Sequence, residues 1–220
     1  MCVRNVLAQK FIRGNGIEIG ALNTPQKLDP SCRVQYVDQY PVDKLMQLYY
    51  MNTVGVVTPN IVDDGEVLSK IENNSVDFII AGHFLEHARN LIQTIKNHID
   101  KLKPHGLLFY VVPDMRFTFD KDRDVTLYEH LKDEYEFGDD RYHDDHIRDS
   151  VKNIDKLKDQ AATDKFNWYK SAGFSIHVHV WTSETFMELM IVMINELSLP
   201  IKILSFTIDG AEFVCVLEKI

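Results

Sequence analysis

The sequence predicts an α/β fold built on a mostly parallel sheet, and three observations predict it. Short apolar runs alternate with segments of helical spacing through the first half of the chain, the pattern of βαβ units. Val76 to Ala81 is apolar at every position but Asp77, as expected for a strand buried on both faces. The chain closes on two apolar runs, Ile201–Ile208 and Glu212–Leu217, around Asp209-Gly210-Ala211, a strong hairpin signal that makes the last strand antiparallel.

The elements follow in order. Residues 3–12 suit a short helix, stopped by Gly14-Asn15-Gly16. Ile17-Glu18-Ile19-Gly20 is a strand ending in glycine, and Val34 to Asp38 is a strand ending in an acid. Pro41 to Tyr50 reads as a helix, and Asn60 to Gly65 as a third short strand with an acidic exit. After the fourth strand, Ala88 to Leu102 carries Leu91, Ile92, Ile95 and Ile99 on one helix face. Lys103-Pro104-His105-Gly106 breaks that helix, and Gly106 to Val112 is another buried strand. Residues 115–175 are crowded with charges and histidines and show weak helical patterning, so they read as an insertion over the carboxyl ends of the strands, where open α/β sheets bind ligands. Thr182 to Leu197 is a helix with Thr182 or Ser183 as its cap. The 220 residues fit one domain, residues 1–220, with the insertion at 115–176 as its lid.

Composition narrows the function. The chain is 45% hydrophobic and 26% charged, with 24 basic and 33 acidic residues, a formal charge of −9. Tracking a phosphate backbone relies on clustered Lys and Arg, so no nucleic-acid partner is expected. Cys2, Cys32 and Cys215 include no C-x-x-C pair, which points to free thiols in a reducing compartment. The N-terminal residues lack the apolar core of a signal peptide, and no apolar run nears the ~20 residues of a membrane span. A cytoplasmic protein with no membrane span is the expectation.

Candidate binding residues sit at the strand ends. Gly20 lets the backbone turn sharply and approach a ligand closely. Asp38 stands where an acid accepts hydrogen bonds from ribose hydroxyls, and Asp63 or Asp64 where one meets an adenine amino group. Each acid is equally readable as a turn former. A full G-x-G-x-x-G fingerprint is absent, which argues against a nicotinamide or flavin enzyme.

Asp77 to His87, running D-F-I-I-A-G-H-F-L-E-H, resembles the fourth-strand segment of class I S-adenosylmethionine-dependent methyltransferases. Leu102-Lys103-Pro104-His105-Gly106-Leu107-Leu108 resembles the family's L-x-P-G-G-x-L lead into the fifth strand, with His105 in place of a glycine, and the hairpin matches its last two strands. The resemblance implies a Rossmann-like seven-stranded sheet, helices on both faces and an inserted substrate lid. It implies S-adenosylmethionine as cofactor and S-adenosylhomocysteine as product, with no metal site assigned. By position it places Glu18, Gly20 and Ala21 around the methionine moiety and ribose, Asp38 on the ribose hydroxyls, and Asp63 or Asp64 by the adenine. Gly82 and His83 would line the wall near the sulfonium, and Leu85 would join the cofactor-binding residues. The glycine loop is poor, so the methionine carboxylate needs another anchor, for which Asn23 or His83 can serve.

A narrower resemblance rests on E-I-G-A at 18–21, Y-V-D at 36–38, D-D-G at 63–65, V-P-D-M-R-F-T-F-D at 112–120, L-Y-E-H-L at 127–131 and I-H-V-H-V-W-T at 176–182. Methyltransferases found with, or fused to, glycosyltransferases share these stretches, which implies a sugar hydroxyl as acceptor, on a deoxyhexose such as rhamnose, in a glycan or glycoside.

A hydroxyl acceptor must lose a proton, and histidine suits that role near neutrality. His177 to Thr182 alternates like a strand, which would put His177, His179 and Trp181 on one face. His177 is the first candidate base and His179 the second. Both equally fit a structural role bracing the insertion. Asp114 and Arg116 leave the fifth strand at the active edge and can hold acceptor hydroxyls, or pair with each other, and His130 can point inward from a helix. His143-Asp144-Asp145-His146 has ligand residue types but reads as solvated surface. Two other functions remain open: methyl transfer to an amine, and a catalytically silent interaction module of a glycosyltransferase complex.

Overall fold

A computed structural model describes residues 2–48 and 55–220. Its elements are α1 (Val3–Phe11), β1 (Asn15–Ile19), β2 (Arg33–Asp38), α2 (Val42–Leu48), β3 (Ile61–Val62), β4 (Val76–Gly82), α3 (Leu91–Lys101), β5 (Leu102–Pro113), α4 (Tyr128–Phe137), α5 (Asp140–Asn153), α6 (Asp159–Ala172), α7 (Ser183–Glu196), β6 (Ile201–Asp209) and β7 (Glu212–Lys219). The last two residues of the helix expected at 41–50 lie outside the described residues.

The seven strands form one sheet in the order β3-β2-β1-β4-β5-β7-β6. β1 to β5 are mutually parallel, and β7 runs antiparallel between β5 and β6. This is the mostly parallel sheet with an antiparallel last strand that the sequence predicts. The chain order reverses across β1 and β4, which makes the gap between their carboxyl ends the topological switch point of the sheet.

The apolar run of β4 is buried on both faces for a visible reason. Ile79 and Ala81 join one core with Ile17, Ile19, Leu108, α3 and α7, while Phe78 and Ile80 join a second with Phe109, Val111, Val214 and α1. Each fully buried side chain of this size contributes roughly 1.5–3 kcal/mol.

Two expected starts are corrected. α3 begins at Leu91 and not at residue 88, because Leu85–His87 takes a 3-10 turn and Asn90 Oδ1 caps α3 by accepting from the Gln93 amide at 3.0 Å. β5 begins at Leu102, before Gly106, with an irregularity opposite Val76 and Phe78. The insertion, whose helical patterning is weak in the sequence, holds α4, α5 and α6. Ile147, Val151, Tyr169, Ile176 and Val178 give it a small core of its own, and Leu131 of α4 reaches the main core.

The segment 174–182 is not a strand. Its amides go to scattered partners: Val178 and His179 to the Glu86 carbonyl, at 2.7 and 3.1 Å, and Val180 to Thr126 Oγ1 at 3.1 Å. Val178, His179, Val180 and Trp181 are all buried, so the expected two-faced alternation is absent. The segment crosses from the β4 exit to the β5 exit, where the Met115 amide donates to the Trp181 carbonyl at 2.9 Å.

Candidate functional site

The sheet brings three strand ends together. Ile19 pairs with Val37 on one side and with Ala81 on the other, so Gly20, Asp38 and Gly82 lie side by side at the carboxyl edge. Gly20 has φ +65°, and a Cβ built there would meet nothing within 4 Å. The strand tip therefore presents bare backbone to open space, where a ligand can lie against it. Asp38 is half-buried, and burial raises its carboxyl although the Gln39 and Tyr40 amides pull it back.

Glu18 lies two residues before Gly20 and is buried beneath it. Both its oxygens accept from the Gln26 amide, at 2.9 and 3.1 Å, which folds the loop after β1 back over the strand. Burial pushes its carboxyl up to about 7. Ala21 is buried in the same turn. Gly82 ends β4, and a Cβ there would lie 3.9 Å from Arg4 Nη2.

Arg4 is a residue that sequence reasoning missed. It reaches from α1 over the edge, donates from Nε to Gln26 Oε1 at 2.6 Å and stands 3.9 Å from Glu212. With Asn23, Gln26, Tyr36 and Glu212 it lines a cavity of about 560 Å³. A lone arginine in a short helix carries no sequence signal, and only the sheet order brings it here. A cavity of about 700 Å³ opens at the opposite edge, at the amino ends of β1 and β2, away from every group described above.

The remaining nucleotide-side candidates divide. Asp63 spends both oxygens inside its own turn, accepting from the Asp64 amide, Ser69 Oγ and the Lys70 amide at 2.7–2.9 Å. Asp64 Oδ1 accepts from the Glu66 amide at 2.8 Å. Leu85 is fully buried in the main core, below the edge. His83, at φ +50°, is half-exposed, and its Nε2 lies 2.7 Å from Glu212 Oε2, which raises its pKa.

A second group of side chains gathers at the exits of β4 and β5. His177 Nδ1 lies 2.7 Å from Asp120 Oδ2, and Asp120 Oδ1 accepts from Arg123 Nη1 at 2.9 Å. Arg123 also donates to the His177 and Val178 carbonyls, at 2.9 and 3.2 Å. Burial would raise the Asp120 carboxyl, but His177 and Arg123 outweigh it and hold it low. An ionised Asp120 requires the proton on Nδ1, which leaves Nε2 of a neutral His177 as an acceptor. Asp120 and Arg123 were not among the sequence candidates, because their roles depend on a partner more than fifty residues away.

Around this dyad, the His87 ring meets His177 edge-on and the Phe119 ring packs beside it, each with centroids 4.7 Å from the His177 ring. Phe117 and Phe119 are both more than half exposed. Glu86 is buried with no hydrogen bond to either carboxyl oxygen among the described residues, and burial pushes it up to about 7. Glu86, Pro113, Met115, Asp120 and His177 line a tight space that His179 and Trp181 close from behind.

Asp114 and Arg116 take the internal pairing. Asp114 accepts from Arg116 Nε and Nη2, at 2.9 and 2.6 Å, from the Arg116 amide and from the Ser183 amide, which ties the β5 exit to the start of α7. Arg116 reaches on to Glu184 at 2.9 Å. Trp181 is fully buried against Phe186. His179 is also fully buried and faces His130 and His146, not the exposed edge. His130 therefore joins His179 rather than Arg116 or His177.

No protein-family model matches the sequence, and no curated protein matches it. Solved structures do match over nearly the whole chain. An S-adenosylmethionine-dependent methyltransferase from Aquifex aeolicus is 9% identical, with a TM-score of 0.51, over 100% of this chain and 90% of that one. A methyltransferase of the same kind from Methanosarcina mazei is 14% identical, with a TM-score of 0.51 and 97% of each chain covered. A protein from Rhodobacter sphaeroides described as a Zn-dependent alcohol dehydrogenase is 13% identical, with a TM-score of 0.58, over 99% of this chain and 89% of that one. At these identities the likeness establishes the Rossmann-like fold.

Proposed function

We propose that the protein is an S-adenosylmethionine-dependent methyltransferase acting on a sugar hydroxyl. The observation that carries the reading is the placement, along one sheet edge, of a ligand-ready strand tip and an oriented imidazole. Gly20, Asp38 and Gly82 form the first, and His177 held by Asp120 forms the second. The donor chemistry fits a nucleoside with an amino-acid tail. Asp38 offers a carboxylate to ribose hydroxyls, Gly20 offers bare backbone, and Arg4 in the 560 Å³ cavity offers a cation to a carboxylate, the anchor the poor glycine loop lacks.

Bound S-adenosylmethionine supplies an electrophilic methyl group on a sulfonium. The chain's own task is to position the acceptor and remove its proton. His177 Nε2 accepts the hydroxyl proton while Asp120 fixes the tautomer and balances the imidazolium that results. Arg123 holds Asp120 ionised and, through the His177 and Val178 carbonyls, fixes the backbone that carries the base. Phe119 presents an exposed ring beside the base, a surface suited to the apolar face of a deoxyhexose. In this reading residues 115–176 act as a lid over the acceptor, the working partner is a sugar or glycan, and association with a glycosyltransferase follows from the narrower resemblance.

Incubation with methyl-labelled S-adenosylmethionine and a panel of deoxyhexose glycosides and amines tests it. Label on a sugar hydroxyl, lost in His177→Ala, is the expected result. Transfer to amines that His177→Ala leaves intact would replace the acceptor assignment.

A further inference from the structure

We propose that His130, Glu134, His146 and His179 form a binding site for one divalent d-block ion of the zinc class, which clamps the insertion to the sheet edge. His130 and Glu134 stand one turn apart on α4, His146 comes from α5, and His179 from the segment that carries His177. One donor atom from each lies within 4.8 Å of all the others. The short edges are 2.7 Å from His146 Nε2 to Glu134 Oε1, 3.1 Å from His130 Nε2 to the same oxygen, 3.2 Å from His179 Nε2 to Glu134 Oε2 and 3.4 Å between the Nε2 atoms of His130 and His146. A tetrahedral ion with bonds of about 2.0–2.1 Å has donor–donor edges of roughly 3.3 Å, so the four short edges bracket that value, and the remaining pairs, within 4.8 Å of each other, close by rotation of the side chains.

Hydrogen bonding alone leaves this cluster unsatisfied. His179 is fully buried, and neither of its ring nitrogens makes an in-line hydrogen bond among the described residues; its Nε2 reaches Glu134 Oε2 at 3.2 Å only as an ion-pair contact, and that buried oxygen accepts no hydrogen bond either. Glu134 is fully buried with three imidazole edges converging on one carboxylate. Buried polar groups without partners are costly, and an ion would satisfy Glu134 Oε2 and one nitrogen of His179 together.

The donor set selects the metal. Three imidazoles and a carboxylate suit zinc or a neighbouring d-block ion, and not magnesium or calcium, which take oxygen shells. Four protein donors fill a tetrahedral shell, the arrangement of a structural site. The ion would pin α4, α5 and residues 174–182 together, two residues from His177, so it acts on the reaction only by holding the base in place. Of the H-D-D-H run, only His146 enters the site. Asp144 pairs with Lys170 and Asp145 with Arg148 on the surface. The assignment is independent of the proposed methyl transfer, because its test reads the metal and not the reaction.

The full-length chain, stripped with chelator, is titrated with Zn²⁺ against a chromophoric competitor, and in parallel with Co²⁺. The expected result is one equivalent of Zn²⁺ per chain, intense visible bands of tetrahedral Co²⁺, and a raised Tm on loading. Glu134→Gln and His146→Ala lose the equivalent and the bands, whereas His143→Ala keeps both. A weak octahedral Co²⁺ spectrum in the wild-type chain overturns the proposal even where the variants fail to fold. So does an equivalent of Zn²⁺ that survives in folded His146→Ala.

Discussion

At the scale of single residues the account turns on His177 and its neighbours. Removing a positioned base from a proton-transfer step costs about 10²–10⁴ in rate. His177→Ala should therefore lower kcat by that range while S-adenosylhomocysteine affinity is unchanged, as measured by steady-state kinetics and calorimetry. Asp120→Asn should also lower kcat while leaving S-adenosylhomocysteine affinity unchanged, because the imidazole loses the partner that fixes its tautomer and orientation. Glu18 makes a different prediction. Its folded pKa of about 7 lies above the usual 4.5, so the folded state holds a proton there that the unfolded state has lost. Stability contributed by the neutral form is full below about 4.5 and falls as pH rises to about 7. Denaturant titrations should show this decline in the wild type and a flatter profile in Glu18→Gln. Equal slopes would mean that the Glu18 carboxyl is not desolvated as described.

At the scale of elements the turns around the edge can be loosened one at a time. A Cβ at Gly65 would sit 2.7 Å from Ile19 Cγ2 and 2.8 Å from Phe84, inside the packing that seats the β3 exit. Gly65→Ala should cost about 1–3 kcal/mol by chemical denaturation, the range for overpacking. Thr182 caps α7 through a capping box with Thr185, so Thr182→Ala should cost about 1 kcal/mol. The strands and α7 were legible in the sequence because each is specified by its own residues. The apolar run of β4, the Asp209-Gly210 turn and the cap at Thr182 all act over short range. α5 was not legible, since only Ile147, Ser150 and Val151 of its fourteen residues are buried and its charges mask the period. Residues 177–182 misled for the opposite reason: their alternation is real, but burial on both sides and hydrogen bonds to Glu86 and Thr126 leave no ladder to join.

At the scale of the whole molecule, the site is what the sheet order makes of distant residues. Gly20 and Asp38 were readable as strand-end candidates because each ends a strand in its own sequence context. Arg4, Asp120 and Glu134 were not, because each completes its cluster through a residue distant in sequence: Gln26 for Arg4, His177 for Asp120 and His179 for Glu134. The central claim is that the carboxyl edge of β1, β2 and β4 holds an adenosyl ligand. Isothermal titration of the wild-type chain with S-adenosylhomocysteine tests it most directly. The account predicts a single site of micromolar affinity, near −8 kcal/mol, abolished in Asp38→Ala while the variant remains folded. No binding by the wild-type chain, or binding that Asp38→Ala leaves untouched, would contradict it.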